Sequence, residues 1–349
     1  MLFRSIALSW IYIAFGETPI VAGMFYGIKP AVAAIVAQAA HRIGSRALKN
    51  AYLWVIAGAS FVAIFLLDLP FPLIVLIAAL IGFVGGRYRA DKFHVGGGHG
   101  KAKQSYGAAL IDDDSPRLEH TLFSWARLLK ILVVGVLLWL IPMGYFYAIY
   151  GWGHAFTQMG WFFTKAAFLT FGGAYAVLPY VYQGAVNYYG WLTPTQMMDG
   201  LALGETTPGP LIMVVAFVGF VGAYVNALLG PEQLFVAGAL AAFLVTWFTF
   251  LPSFIFILAG GPLVESTHDD LKFTAPLTAI TAAVVGVILN LALFFAYHVL
   301  WPKGFEGDFD GISAIITILA AIALFKFKRN VMEVIFTSAA IGLILQLLK

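Results

Sequence analysis

The chemistry-bearing residues of this chain gather between residues 168 and 220, where two backbone interruptions break an otherwise apolar sequence. The first reads TFGGAY over residues 170–175, and the second reads GETTPGP over residues 204–210. Pro208 and Pro210 have no amide hydrogen, and each restricts the residue before it to extended conformations. A helix entering this run therefore cannot continue, and Pro210 is well placed as the first residue of the next helix.

A helix that starts at Pro210 within the membrane presents unpaired amides, beginning with that of Leu211. Such amides stand at the positive end of the helix dipole and together form an anion site. The threonine hydroxyls of the second interruption suit a tetrahedral oxyanion, and the glycine pair of the first lets another backbone approach closely. The predicted substrate-binding residues are Gly172, Gly173, Thr206, Thr207, Pro208, Gly209, Pro210 and Leu211, joined by Lys165.

Simpler interpretations of both motifs stay open. The Pro-Gly-Pro run at residues 208–210 can be an extramembrane turn without a ligand, and the glycine pair at residues 172–173 can serve close helix packing. Unpaired amides are costly in hydrocarbon, so a break at membrane depth survives only beside a cavity or a protein partner. The anion hypothesis therefore requires a hollow next to residues 206–213.

Charged residues inside apolar stretches are costly and usually functional. Lys165 can neutralise a bound dianion or extend its ammonium to the membrane interface. Glu205 is either a proton carrier for coupled transport or a solvated helix end. Asp199 is interpreted as an exposed acid near a helix start, and Glu17 and Lys29 receive no functional assignment.

The composition identifies the setting of these residues. Of the 349 residues, 61% are apolar and 11% charged, whereas soluble domains average about half apolar and about a quarter charged. The chain lacks cysteine, which excludes disulfides, thiolate metal sites and cysteine nucleophiles. Its net charge of +3 is too small to indicate a nucleic-acid partner. The class that remains is a polytopic protein of the lipid bilayer.

Apolar runs long enough to cross the roughly 30 Å hydrocarbon layer recur along the chain. They are continuous rather than alternating, which predicts helices, and we expect about eleven membrane elements. Their predicted limits are 5–26, 30–49, 51–67, 70–86, 123–149, 155–182, 210–229, 233–259, 273–300, 311–327 and 330–348.

A polar segment, residues 87–122, separates these elements into two groups. We predict that it is a flexible cytoplasmic linker between a first half, residues 1–86, and a second half, residues 123–349. Two histidines and three aspartates in it are too loosely spaced to indicate a metal site: His94, His99 and Asp112–Asp114. We predict neither a metal nor a cofactor.

Two segments of the chain share an outline. Residues 63–82 read AIFLLDLPFPLIVLIAALIG, and residues 323–342 read ALFKFKRNVMEVIFTSAAIG. Each predicts an apolar helix, a short polar break and a second helix, and the two end at Gly82 and Gly342. Upstream, Pro30 and Pro276 are each predicted to open an alanine-rich helix.

Charge indicates that the two halves are inverted. The Pro30 helix ends in basic residues, whereas the stretch after the Pro276 helix is mainly acidic and the later break at residues 326–329 is basic. Lysine and arginine accumulate on the cytoplasmic side, so equivalent loops face opposite sides, although a chance distribution of a few charges is the alternative. The predicted fold is an all-α polytopic membrane protein, an inverted-topology repeat of two helical halves with broken helices.

The motifs resemble those of the chromate ion transporter family. The resemblance lies in FGGAYAVLP at 171–179, GWL at 190–192, LALGETTPGPL at 201–211, FVGF at 217–220 and FYGIKPAV at 25–32. It covers essentially the whole chain apart from the linker. It implies an inner-membrane or plasma-membrane protein that moves chromate, commonly outward, with two oppositely oriented halves. Sulfate, which has the same shape and charge as chromate, is the second candidate substrate, and a homodimer is left open.

The chain departs from the family pattern in its first half. Two-half members carry a glycine-rich and a Pro-Gly-Pro-like motif in each half, whereas here both occur once, in the second half. The expectation is an amino-terminal truncation or a variant with one motif set, so an inactive or partner-dependent fragment is one alternative. A membrane-embedded enzyme acting on a phosphate-bearing lipid is another, but it needs paired acids with a metal, or a nucleophile and base. Glu205 and Asp199 are the nearby acids, no histidine accompanies them, and we predict no enzymatic activity.

Overall fold

The structure, a computed structural model, describes residues 1–93, 124–170, 173–206, 209–266 and 274–348. These residues form fourteen α-helices and no strand, which confirms an all-α protein. The helices are α1 (Leu2–Phe15), α2 (Pro19–Ala47), α3 (Ala51–Leu67), α4 (Phe71–Tyr88), α5 (Ala90–Phe93), α6 (Trp125–Tyr150), α7 (Ala155–Phe168), α8 (Ala174–Tyr182), α9 (Pro194–Thr206), α10 (Val214–Val225), α11 (Leu234–Ser266), α12 (Thr274–Leu300), α13 (Gly311–Phe325) and α14 (Val331–Leu347). A π-helical turn at Gln183–Tyr188 follows α8, and 3-10 turns at Leu211–Met213 and Pro231–Gln233 precede α10 and α11.

Helix length and surface composition are those of a polytopic membrane protein. Within the described ranges, five helical segments are long and apolar enough to cross a bilayer, and five shorter ones are also apolar. α6 buries only three residues, Gly135, Met143 and Phe146, and exposes many of its leucine and valine side chains. Such a face is stable when the surrounding solvent is lipid.

The first two helices correct the predicted boundaries. The sequence predicts a break just before Pro30, whereas the break lies at residues 16–18 and α2 continues through Pro30. Pro19 opens α2 instead, because the first position of a helix needs no amide donor. Pro30 is buried against α13, and the Thr317 hydroxyl donates to its carbonyl oxygen at 3.3 Å. Packing against neighbouring helices makes a proline tolerable inside a membrane helix.

The predicted repeat is present as two helical hairpins, α3–α4 and α13–α14, with equivalent residues 260 positions apart. Asp68 and Lys328, in the turns of the two hairpins, adopt the same left-handed conformation, with φ of 48° and 50°. In both turns the next amide, that of Leu69 or Arg329, donates to the carbonyl six residues earlier. Four buried positions of α3 also match buried positions of α13: Leu53, Ile56, Ser60 and Ile64 correspond to Ser313, Ile316, Ala320 and Leu324.

Each hairpin packs against the long helix that precedes the other hairpin. α13 and α14 contact α2, and α3 and α4 contact α12. Gly342, near the end of α14, lies against the backbone of Gly23 and Gly27 in α2. Its equivalent Gly82, near the end of α4, is packed so closely on α12 that a Cβ there would lie 2.6 Å from the Ala275 carbonyl oxygen. Each hairpin is thus packed against the long helix that precedes the other hairpin.

The two long helices run in opposite directions, which makes the repeat an inverted one. Thr281, early in α12, lines the same cavity as Arg42 and Arg46, late in α2. At the other end, the hydroxyl of Tyr26, early in α2, donates to Asp310, which follows α12, at 2.9 Å. Because each hairpin ends at the start of the long helix it packs against, the hairpins are also antiparallel.

Candidate functional site

The first predicted interruption separates α7 from α8. α7 ends at Phe168, and Gly173 precedes α8 with a φ of +106°, a conformation that side-chain-bearing residues rarely adopt. α8 then begins at Ala174, so its first amides have no acceptor within the helix. Gly172 lies outside the described residues.

The second predicted interruption separates α9 from α10. α9 ends at Thr206, Gly209 has a φ of +154°, and Pro210 is extended with φ −71° and ψ 129°. A 3-10 turn begins at Leu211 and leads into α10, so a helical segment starts directly after Pro210, as the prolines predict. Thr207 and Pro208 lie outside the described residues.

Both helix starts face one cavity of about 560 Å³. Gly173, Ala174 and Tyr175 line it from the start of α8, and Leu211 lines it from the start of the next helical segment. Opposite them stand Arg42 and Arg46 of α2. The volume lies within the usual range for small-molecule sites. The hollow that the anion hypothesis requires is therefore adjacent to the break, and it is basic.

The electrostatics of this cavity favour a doubly negative guest. Arg42 and Arg46 are exposed to the cavity and form no ion pair with any residue in the described ranges. One turn apart on α2, they present two guanidinium groups on the same face. Beside them the Tyr175 hydroxyl donates a hydrogen bond to Glu205, and the charge of Arg42 acts on both groups. Two guanidinium groups and two positive helix ends suit an oxyanion.

The other residues of the second interruption take different places. The Thr206 hydroxyl donates to the Leu203 carbonyl oxygen at 3.0 Å, so its single proton is already used. Gly209 and Pro210 line a separate hollow of about 20 Å³, between α1, α9 and α10. The structure brings Gly173 and Leu211 together, but it does not bring Thr206, Gly209 or Pro210 to the basic cavity.

Lys165 lies at another place. It lines a cavity of about 730 Å³ with Asp68 and Gln183, which is not the cavity of Gly173. Its ammonium lies 5.8 Å from the centre of the Trp161 ring, within range of a cation–π contact. Lys165 and Gly173 therefore do not line the same cavity. The histidine and aspartate clusters predicted to lie in the linker fall outside the described residues.

A buried charge cluster joins α1, α2 and α9 and corrects the interpretation of Asp199 as exposed. Asp199 is 2% exposed. Its Oδ2 atom accepts a hydrogen bond from the Tyr12 hydroxyl at 2.9 Å and lies 3.4 Å from the Lys29 ammonium. Its Oδ1 atom has no hydrogen-bond partner among the described residues.

Sequence reasoning missed four charged residues that the fold places at these two sites: Arg42, Arg46, Lys29 and Asp199. A signal for the first two was available, because basic residues four apart on an apolar helix share one face. They were interpreted only as markers of membrane orientation. Lys29 and Asp199 are isolated charges in apolar helices, which by itself indicates pairing.

An all-helical chain with several membrane-spanning helices, an inverted hairpin repeat and a basic cavity at two helix starts is a multi-pass membrane protein with a candidate anion site. The chain belongs to the chromate transporter family, whose model matches residues 1–83 and 157–343.

Curated relatives extend over most of the chain. A chromate transport protein of Pseudomonas aeruginosa is 31% identical over 345 residues, covering 96% of this chain and 70% of the relative. A chromate transport protein of Cupriavidus metallidurans is 25% identical, covering 97% of this chain and 71% of the relative. A probable chromate transport protein of Synechococcus elongatus is 25% identical over 54% of this chain and 42% of its own length. No solved structure matches the chain.

Proposed function

We propose that this protein exports chromate across the cell membrane and binds the anion in the cavity between α2, α8 and the helical segment that starts at Leu211. The observation that carries this proposal is the meeting of Arg42 and Arg46 with two helix starts in one cavity. Family membership and the relatives named as chromate transport proteins support the substrate. Sulfate has the same shape and charge, so we expect it to compete for the site.

The chemistry of the site follows from its donors. An anion that leaves water must regain hydrogen bonds, and the free amides of the helix starts supply them without reorganisation. Each guanidinium can donate two parallel hydrogen bonds to a tetrahedral oxyanion. Glu205 lies beside Arg42, where its negative charge opposes an anion. We therefore keep Glu205 as a candidate proton carrier, neutralised when the anion binds.

The proposed transport step is a movement of α2, with the α13–α14 hairpin packed on it, against α8 and the helical segment that starts at Leu211. α2 supplies the arginines from the first half, whereas α8 and Leu211 belong to the second, so the cavity lies between the halves. Relative motion would open the cavity to one side at a time. In this proposal residues 87–122 face the cytoplasm, the protein lies in the inner cell membrane, and assembly as a homodimer stays open.

Chromate uptake into inverted membrane vesicles tests the proposal. We expect the Arg42→Gln, Arg46→Gln double variant to lose at least about tenfold of the initial uptake rate, because charged hydrogen bonds contribute about 1.5–3 kcal/mol each. Excess sulfate should inhibit the unmodified protein. The matched control is Arg329→Gln, since Arg329 is exposed on the α13–α14 turn, away from the cavity.

The outcomes separate the alternatives. Uptake by the double variant equal to that of the unmodified protein would place the anion elsewhere. Absence of uptake by the unmodified protein at normal abundance would favour the inactive or partner-dependent fragment. Phosphate release from a lipid substrate would favour the enzyme.

A further inference from the structure

The buried cluster around Asp199 is built of charges that the anion cavity does not use. The Asp199 carboxylate is 3% exposed, Lys29 lies 3.4 Å from it, and Tyr12 donates to it at 2.9 Å. Tyr12 and Lys29 both contact the same oxygen, Oδ2, and leave Oδ1 without a partner in the described part of the chain. A buried carboxylate oxygen without a donor is unusual, because burial of an unpaired polar atom is costly. It is also a free position for a proton.

The surroundings of Asp199 contain few other groups that titrate. The helices packed against α9 carry the following titratable residues, with Glu205 on α9 itself: Arg4 and Tyr12 of α1, Tyr26, Lys29, His41, Arg42 and Arg46 of α2, Tyr224 of α10, Tyr297 and His298 of α12, and Glu333 of α14. Of these, Lys29 and Tyr12 act on the Asp199 carboxylate. The rings of Phe25 and Phe217, which are apolar, contact the Tyr12 ring.

Lys29 differs from Asp199 in its access to water. Its side chain is 27% exposed, whereas that of Asp199 is 3% exposed. If Asp199 becomes neutral, the Lys29 ammonium can rehydrate without leaving α2. If Asp199 ionises again, the pair can re-form. Protonation of Asp199 would therefore give a second state that differs from the observed one by one proton and by one contact between α2 and α9.

α9 connects this pair to the anion cavity. Asp199 and Glu205 are six residues apart, or about 9 Å along the helix, and Glu205 is bonded to Tyr175 in the cavity wall. α2 also connects the pair to the cavity. Lys29 and Arg42 both lie on this helix, thirteen residues or about 20 Å apart. A change in the Lys29–Asp199 contact would act on α2, which carries Arg42 and Arg46 at the cavity, and on α9, whose Glu205 accepts a hydrogen bond from the cavity-lining Tyr175.

We propose that Asp199 and Lys29 form a proton-exchanging pair that couples proton movement to anion transport through α9. In the loading step the Asp199 carboxylate binds one proton at Oδ1 and becomes a neutral carboxylic acid, while Lys29 keeps its proton and its charge. In the release step Asp199 returns that proton and pairs again with Lys29. Glu205 acts at the cavity, and Asp199 acts in the core. This inference rests on the proposed transport of chromate.

Purified full-length protein in liposomes provides the test. Exchange of chromate against chromate at equal pH measures anion passage alone, and accumulation under an imposed pH gradient measures coupling. One proton per anion predicts up to about tenfold accumulation per pH unit. We expect Asp199→Asn to retain exchange and to lose the gradient-driven accumulation. The matched control is Asp68→Asn, the same chemical change at an exposed turn, which should keep both activities.

A second variant protects the test against a folding defect, because Asp199→Asn leaves Lys29 without its partner. The Lys29→Gln, Asp199→Asn double variant removes both charges and should show the same loss of coupling. Gradient-driven accumulation at the unmodified level in either variant would overturn the inference. If the unmodified protein exchanges chromate but does not accumulate it in response to the pH gradient, this inference is overturned and the proposed function stands. Absence of exchange in the unmodified protein would overturn the proposed function and this inference together.

Discussion

Gly82 and Gly342 lie at equivalent positions of the two hairpins, and each is packed closely against the backbone of a long helix. In a membrane, association of helices depends on close packing, because lipid chains are as apolar as the helix faces. A methyl group at Gly342 would overlap the backbone of Gly23 and Gly27. Backbone atoms cannot move aside as a flexible side chain can, so the absence of a side chain is required there.

We expect Gly342→Ala to lower the free energy of unfolding by about 1–3 kcal/mol, the usual cost of overpacking. Gly58→Ala is the matched control, because a Cβ at this helical position meets no atom within 4 Å. It should leave stability unchanged or raise it by up to about 1 kcal/mol, since alanine favours helix. Thermal unfolding in detergent measures both. Equal stability of the two variants would contradict the close contact.

At the candidate site, the sequence predicts where helices start better than it predicts which distant side chains meet there. Glycine and proline act on their own backbone, so the helix starts after Gly173 and Pro210 follow from local chemistry. Arg42 is 131 residues from Gly173, and Lys29 is 170 residues from Asp199. Such pairs depend on how helices pack, and no local rule specifies that. The sequence could not show that Lys165 lines a different cavity from Gly173 for the same reason.

The N-cap residues of α3 and α13 also correspond between the two hairpins. Asn50 caps α3 and Asp310 caps α13, each accepting from the amide three residues later. Burial alone would raise the pKa of Asp310, but hydrogen bonds from the Ser313 amide and hydroxyl and from Tyr26 outweigh it and lower the pKa. A lowered folded-state pKa means that ionised Asp310 stabilises the protein above the unfolded-state value, about 3.9. That stability is lost as the pH falls through the lower folded-state pKa.

We expect Asp310→Asn to reduce stability by about 1 kcal/mol at neutral pH, because asparagine keeps the cap but not the charged hydrogen bonds. The difference from the unmodified protein should shrink as the pH falls below about 4. Thermal unfolding across this pH range measures it. Asp308→Asn, an exposed change in the same loop, is the control and should leave the curve unchanged. A difference that is independent of pH would contradict the role of the charge.

Helix existence follows from the sequence, but helix limits do not. Runs of apolar residues predict most membrane elements, because every backbone group in lipid must bond within a helix. Pro30 shows where the rule for prolines fails. In water a proline inside a helix is costly, whereas here Pro30 is buried in the helix bundle and α13 packs against α2. This packing partner lies nearly 300 residues away in sequence.

At the scale of the molecule, the exchange of hairpins between long helices makes the two repeats depend on each other. α2 packs with α13 and α14, and α12 packs with α3 and α4. Neither hairpin can bury its apolar face on its own long helix in this arrangement. The weak sequence similarity between residues 63–82 and 323–342 predicts the repeat. In the structure the turn conformation and the buried positions recur at the same spacing. The exchange itself depends on tertiary packing.

Inversion makes a direct prediction about the two sides of the membrane. Lys49, after α2, and Asp308, after α12, are exposed in connections that precede equivalent hairpins. Because the long helices are antiparallel, these connections must lie on opposite sides, with the lysine on the cytoplasmic side by its charge. The chain has no cysteine, so Lys49→Cys and Asp308→Cys each provide a single label site. We expect a membrane-impermeant maleimide to label Asp308→Cys in intact cells and Lys49→Cys only in inverted vesicles. Labelling of both from the same side would contradict the inverted topology, and Asp68→Cys, which should behave like Asp308→Cys, gives an independent check.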